Sequence, residues 1–104
     1  MSEQTAADRV DRVIAAVTGV DGVVGLHTGL GTPTTYLPGR TVKGVRLGNT
    51  AGVVHVVLEL KDRLLDRAER VRDAASAAAG VPVDVVVGDV VPSGTERRHG
   101  ERQR

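Results

Sequence analysis

The sequence predicts a two-layer α/β sandwich with the element order α-β-β-β-α-β, in which two helices cover one face of a mixed sheet. Three observations support this fold class. Two segments carry apolar residues at helical spacing, several valine-rich segments alternate as strands do, and the second helix connects the last two strands. A helical crossover joins parallel strands, so we expect the last two strands to run parallel.

The first helix is predicted at about residues 5–18. Thr5, followed three residues later by Asp8, resembles a capping box at its start, and Gly19 is a natural C-terminal stop. One face of this helix is apolar and is predicted to be buried: Val10, Val13, Ile14 and Val17.

Three strands are predicted between the helices. Residues 20–27 form a short strand, and residues 28–40 are so rich in turn-forming residues that we expect a long loop there. Residues 41–47 and 53–60 then form a β-hairpin. Long loops inside compact domains are often functional, so residues 28–40 are a first place to look for a site.

The second helix is predicted to begin at an Asp62 N-cap and to end at Gly80, and the last strand follows at residues 83–90. The buried stripe of this helix is predicted to comprise Leu65, Ala68, Val71 or Arg72, Ala75 and Ala78. We therefore assign residues 1–91 to one α/β domain and residues 92–104 to a disordered, polar, basic tail.

The composition excludes several classes of protein. The chain has 104 residues, no cysteine, no Phe and no Trp, and its only aromatic residue is Tyr36. Disulfide scaffolds and cysteine-ligated metals are excluded, and the core must be built from Val, Ala and Leu. Residues 1–92 carry 10 Lys and Arg against 11 Asp and Glu, so the net charge of +1 comes from the tail. This distribution gives no strong nucleic-acid signal, because such binding needs a clustered basic surface.

No residue pattern indicates catalysis or a cofactor. His27 and His55 can meet only if their strands are neighbours, and neither has a carboxylate at ligand spacing, so we interpret both as ordinary strand histidines. No serine lies in a nucleophile-elbow context. We expect a protein that is not an enzyme and that holds no metal or cofactor.

The N-terminal residues lack the basic and apolar regions of a signal peptide, and no apolar stretch approaches the roughly 18 residues of a membrane span. We therefore expect a cytoplasmic protein, or one held at the inner face of a membrane through a partner.

Alternation in the last two strands leaves apolar residues on the side of the sheet away from the helices. These residues are a predicted self-association face of a homo-oligomer: Val53, His55, Val57, Val86 and Val90. The alternative is that Val simply favours strands and tolerates exposure.

A second candidate surface is the segment Tyr36, Leu37, Pro38, Gly39 and Arg40. Pro38-Gly39 favours a type II turn, which Tyr36 and Arg40 would flank. An aromatic ring and a guanidinium beside one turn suit the binding of a protein surface. The alternative is that Tyr36 and Leu37 cap one end of the aliphatic core.

Three segments together carry a family resemblance: VDGVVGLH at 20–27, TYLPGRTVKGVR at 35–46 and VDVVVGDV at 83–90. Over about residues 5–91 the chain resembles the alkaline shock protein family, also called the envelope stress response family, in the short form of high-GC Gram-positive bacteria. The resemblance implies a non-enzymatic cytoplasmic protein of cell-envelope and alkaline-stress homeostasis. It also implies self-assembly and, as for some family members, a membrane-anchor protein as partner.

Two other functions stay open from the residues alone. A small nucleic-acid-binding module would use Arg40, Lys43, Arg46 and the basic tail. A small-ligand sensor would use the threonine-rich loop, which contains Thr28, Thr32, Thr34 and Thr35.

Overall fold

The fold is organised around one long strand, β5 (Gly52–Leu60), which pairs along both of its edges. The computed structural model describes residues 5–92. Along one edge, β6 (Val83–Pro92) runs parallel to β5, as the helical crossover predicts. Along the other edge, β1 (Val23–Leu26) and β4 (Val45–Leu47) each pair antiparallel with one half of β5. β1 and β4 therefore act as one edge strand in two pieces.

The two pieces of this edge strand meet opposite a single residue of β5. The His27 amide donates to the carbonyl oxygen of His55, and the His55 amide donates to the carbonyl oxygen of Gly44, both at 2.8 Å. Residues 28–43 thus leave the sheet and return at the same place. Gly44 has φ +95°, and a methyl group on it would lie 2.9 Å from the His27 carbonyl oxygen, so this junction requires glycine.

The segment 28–43, which lies outside the main sheet, contains a separate β-hairpin formed by β2 (Thr34–Leu37) and β3 (Arg40–Lys43).

The α/β fold is confirmed, but the predicted order is corrected to α-β-β-β-β-β-α-β. Residues 28–40 are not a loop throughout, and the predicted strand 41–47 is broken at Gly44. The strand β2 was not predicted because it has only four residues, two of them Thr, and therefore shows no clear alternation of apolar and polar residues. It also follows directly on turn-forming residues.

The helices α1 (Ala6–Thr18) and α2 (Leu64–Ala79) cover one face of this sheet. Thr5 is the N-cap of α1 and its hydroxyl accepts a hydrogen bond from the Asp8 amide at 3.0 Å, as predicted. The predicted Asp62 N-cap of α2 is wrong. The N-cap is Arg63, which has a left-handed φ of 67° and makes no capping bond with its side chain.

The buried core lies between the helices and the helix-facing side of the sheet. It comprises Val10, Val13 and Val17 of α1, Val71, Ala75 and Ala79 of α2, Val45, Val54, Val56, Leu58 and Val83 of the sheet, and Leu37 of the hairpin. The predicted inclusion of Leu65 is wrong, because its side chain is 82% exposed. Leu64 packs against the core instead, since it precedes Val71 by two helical turns whereas Leu65 is about 100° out of phase.

Two arginines bind the ends of the elements together. Arg9 of α1 donates to the carbonyl oxygens of Ala79 at 3.1 Å and Gly48 at 3.0 Å, which places its charge at the negative end of α2. Arg67 of α2 donates to the carbonyl oxygens of Asp21 at 3.1 Å and Asp62 at 2.9 Å. Each guanidinium therefore satisfies two backbone acceptors that are distant in sequence.

Pro92 pairs with Leu60 as the last residue of β6, so this strand reaches one residue beyond the predicted domain boundary at residue 91. The disordered tail predicted for the residues after it lies outside the described residues. Neither helix within residues 5–92 has both the length and the apolar composition needed to span a membrane.

We predict that Leu58→Ala destabilises the fold by about 2–5 kcal/mol, because Leu58 is fully buried and the change leaves a cavity. Leu30→Ala is the matched control, since Leu30 is fully exposed, and we expect it to change the free energy of unfolding by less than about 0.5 kcal/mol. Urea denaturation measures both values. Equal losses for the two variants would contradict the placement of the core.

Candidate functional site

The β2–β3 hairpin is the most distinctive local structure of the chain. Leu37 pairs with Arg40 in the hairpin register, so Pro38 and Gly39 form a two-residue turn. Gly39 has φ +83°, the conformation that the second central position of a type II turn requires. The turn predicted from Pro38-Gly39 is therefore present at the tip of the hairpin.

Three contacts fix the hairpin to the rest of the domain. Leu37 is only 9% exposed and belongs to the hydrophobic core. Arg40 donates to the Asp11 carboxylate of α1 at 2.7 Å. The Thr35 hydroxyl donates to the Val45 carbonyl oxygen of β4. An apolar anchor, an ion pair and a hydrogen bond at three different points leave the hairpin little freedom to move as a body.

Tyr36 points away from this anchored side and is 80% exposed. The interpretation in which both Tyr36 and Leu37 cap the core is right for Leu37 and wrong for Tyr36. Successive residues of a strand point to opposite faces, so burial of Leu37 places its neighbour in solvent. The structure thus presents the only aromatic ring of the chain on a rigid hairpin, opposite Thr41.

Several residues expected to bind nucleic acid or a small ligand instead make structural contacts within the domain. The hydroxyl of Thr32 donates to the Gly29 carbonyl oxygen at 2.8 Å, and that of Thr35 is bound as described above. Arg40 lies on the helix side with Asp11, whereas Arg46 lies opposite Val53 on the other side of the sheet. The fold therefore does not bring Arg40 and Arg46 to one surface.

The structure brings only some residues of the predicted self-association face to one side of the sheet. Val53, His55 and Val57 lie on the side of β5 away from the helices, and Val86, which is 40% exposed, pairs with His55. Val90 does not lie on this face. The register shifts between Val56 and Val57, where β6 carries the extra residue Gly88. After this bulge Val90 is opposite Leu58, on the helix side.

The same outer face of the sheet carries charged residues between its valines. Exposed Asp84 pairs with Val53, exposed Asp89 pairs with Val57, and Glu59 continues the row along β5. Glu59 pairs with Lys61 at 3.1 Å. Burying this face against a second copy would remove Asp84 and Asp89 from water, which is costly unless each gains a partner.

The two histidines do lie on neighbouring chain segments, joined by the backbone bond between His27 and His55. The His27 ring packs on Gly88, where an added methyl group would lie 2.5 Å from Nδ1, and this nitrogen is buried without a hydrogen-bond partner among the described residues. Sequence reasoning missed this contact, although a glycine interrupting a valine run was a signal of close approach. Within residues 5–92, no group of three or more His, Asp or Glu side chains is placed to hold a metal ion.

Sequence reasoning also missed a groove between α2 and β6. It has a volume of about 200 Å³ and is lined by Leu65, Ala68, Glu69, Arg72 and Val85. Leu65 could have indicated this groove, because it is a large apolar residue that lies out of phase with the buried stripe of its helix.

We predict that Tyr36→Ala changes the free energy of unfolding by less than about 0.5 kcal/mol, because the ring is exposed. Leu37→Ala, one residue further, is expected to cost about 2–5 kcal/mol because it empties part of the core. Thermal or urea unfolding compares the two variants directly. A large loss for Tyr36→Ala would show that the ring supports the fold and would remove the basis for a site there.

Comparison of the chain with protein-family models, with curated proteins and with solved structures found no match.

Proposed function

We propose that the chain is a non-enzymatic structural or adaptor protein of the cell-envelope and alkaline stress response, that it self-associates, and that it binds a partner protein through the β2–β3 hairpin. The location that goes with this function is the cytoplasm, with recruitment to the inner membrane face by a membrane-anchor protein. The resemblance of residues 20–27, 35–46 and 83–90 to the alkaline shock protein family supports the link to stress.

The observation that carries the proposal is the exposure of Tyr36 on an anchored hairpin. Tyrosine and arginine are enriched among residues that dominate protein interfaces, and a preformed loop loses little entropy on binding. Exposing 80% of this ring to water contributes nothing to the core, so the side chain is available to a partner. The exposed side chains of Tyr36 and Arg40 on either side of the turn offer a contact surface, which supports an adaptor role.

A growth experiment tests the cellular part of the proposal. We expect a strain of the source organism that lacks the protein to grow normally at neutral pH and poorly under alkaline or envelope-damaging conditions. The wild-type chain should restore growth, whereas Tyr36→Ala should not, although it folds. Thr41→Ala, which truncates the neighbouring exposed side chain opposite Tyr36, is the matched control and should restore growth.

Equal rescue by Tyr36→Ala and Thr41→Ala would contradict the role of the hairpin. Normal growth of the deletion strain under every envelope and alkaline stress would contradict the stress function itself.

Light scattering at low and high salt, with and without RNA, distinguishes the proposal from a nucleic-acid-binding module. Binding to phosphates weakens steeply as the salt concentration rises, because the counterions that binding releases then gain less entropy, whereas association through apolar surface persists. We expect an oligomer of the chain alone that survives high salt and an RNA-independent mass. A strict monomer at high concentration would contradict self-association, and salt-sensitive complexes with RNA would favour the nucleic-acid function.

A further inference from the structure

We propose that two copies of the chain join edge to edge through β6, which forms one continuous sheet across both copies and brings their α2 helices together. This inference rests on the self-association in the proposed function and names the surface that performs it. A second copy of this chain thus binds both the β6 edge and the α2–β6 groove.

The backbone of β6 leaves hydrogen-bonding groups on its outer edge. The Gly52 amide donates to the Pro82 carbonyl oxygen at 2.9 Å, which fixes the phase of the parallel pairing between β5 and β6. In a parallel ladder with this phase, Val83, Val85 and Val87 direct their own amide and carbonyl groups away from β5. The Ser76 hydroxyl accepts from the Val83 amide at 2.9 Å, whereas the groups of Val85 and Val87 have no partner within residues 5–92.

The open part of this edge is short and well defined. The opposite edge of the sheet is shielded where the hairpin binds β4 through Thr35. Further along β6, the bulge at Gly88 and the residue Pro92 interrupt the strand, and both features discourage strand pairing. An added strand therefore has residues 83–87 to pair with. An antiparallel pair centred on Val85 pairs this residue with its own copy and places Val83 of each copy opposite Val87 of the other. The Val87 amide then donates to the Val83 carbonyl oxygen of the other copy, while the Val83 amide stays bonded to the Ser76 hydroxyl.

The side chains beside this edge form a self-complementary surface when a two-fold axis relates the two copies. Val87 is 37% exposed and Leu65 is 82% exposed, and both lie on the helix side of the edge. In the α2–β6 groove, Glu69 and Arg72 are exposed one helical turn apart. With the two α2 helices antiparallel across the axis, Glu69 of each copy faces Arg72 of the other, while Leu65 is covered.

This surface fits a second copy better than the outer face of the sheet does. The outer face carries charges of both signs, since Arg46 and Asp84 both lie opposite Val53 and Glu59 already pairs with Lys61 at 3.1 Å. The edge of β6 combines unpaired backbone groups, an apolar groove and charges of opposite sign at matching positions. Pairing of Glu69 with Arg72 across the axis adds specificity.

A charge-exchange experiment tests the proposed contact by sedimentation equilibrium over a concentration series. We expect Arg72→Glu alone and Glu69→Arg alone each to weaken dimerisation by about tenfold or more, because each places like charges across the axis. An equimolar mixture of the two variants should restore the wild-type association constant, since every contact between unlike chains is then of opposite sign. Arg70→Glu is the matched control, because it makes the same change on the same helix outside the groove.

A backbone variant gives an independent readout. Val87→Pro removes an amide that points to the open edge, so it should leave the monomer folded by circular dichroism and abolish the dimer. A dimer that resists Val87→Pro and both charge variants would overturn the edge-to-edge proposal. If Val57→Asp dissociates that dimer instead, the interface is the outer face and self-association stands. A wild-type chain that is monomeric at every concentration overturns both the edge contact and the self-association.

Discussion

The long strand β5 must be paired along both of its edges, and the positions of β1, β4 and β6 follow from that requirement. Its helix-facing residues Val54, Val56 and Leu58 are fully buried, so its backbone groups need partners inside the domain. On one side β6 supplies them in a single run. On the other side they come from β1 and β4, two segments separated by residues 27–44 that converge opposite His55.

The split in the edge strand explains how a small domain without Phe or Trp displays its one aromatic ring. Because β1 and β4 are held in line by β5, the intervening chain can form a separate hairpin without disturbing the sheet. That hairpin contributes Leu37 to the core and Arg40 to an ion pair with α1, and these contacts orient Tyr36 toward solvent. A core made mostly of Val and Ala does not need the ring, which leaves it free for recognition.

The two proposed contact surfaces lie on different parts of the molecule and use different chemistry. The hairpin presents a fixed aromatic side chain and suits a partner with a complementary pocket. The edge of β6 presents backbone groups and suits another strand. A domain with both can assemble with copies of itself while it keeps Tyr36 exposed to a partner.

The sequence could predict the elements whose signal is local and periodic. Both helices, the parallel pairing of the last two strands and the burial of Val54, Val56 and Leu58 follow from spacing and from the crossover rule. The turn at Pro38-Gly39 was likewise readable, because proline and glycine fix its backbone angles.

The remaining features depend on contacts that are distant in the chain or on shifts of a single residue. The strand β2 is stabilised by its pairing with β3 and by Leu37 in the core, not by its own propensity. The face of Val90 is set by one extra residue at Gly88, and a shift of one residue reverses every later side chain. Leu65 was expected in the buried stripe of α2, but Leu64 takes that place because it lies two helical turns before Val71.

Amide hydrogen exchange, resolved by residue and measured over a range of protein concentrations, examines the pairing of β5 and the open edge of β6 in one experiment. We expect strong, concentration-independent protection along β5, which is paired on both edges. We expect the amides of Val85 and Val87 to exchange fast in dilute protein and to become protected as the concentration rises. Concentration-dependent protection confined to the hairpin or to other parts of the sheet, with Val85 and Val87 unchanged, would contradict the edge-to-edge contact.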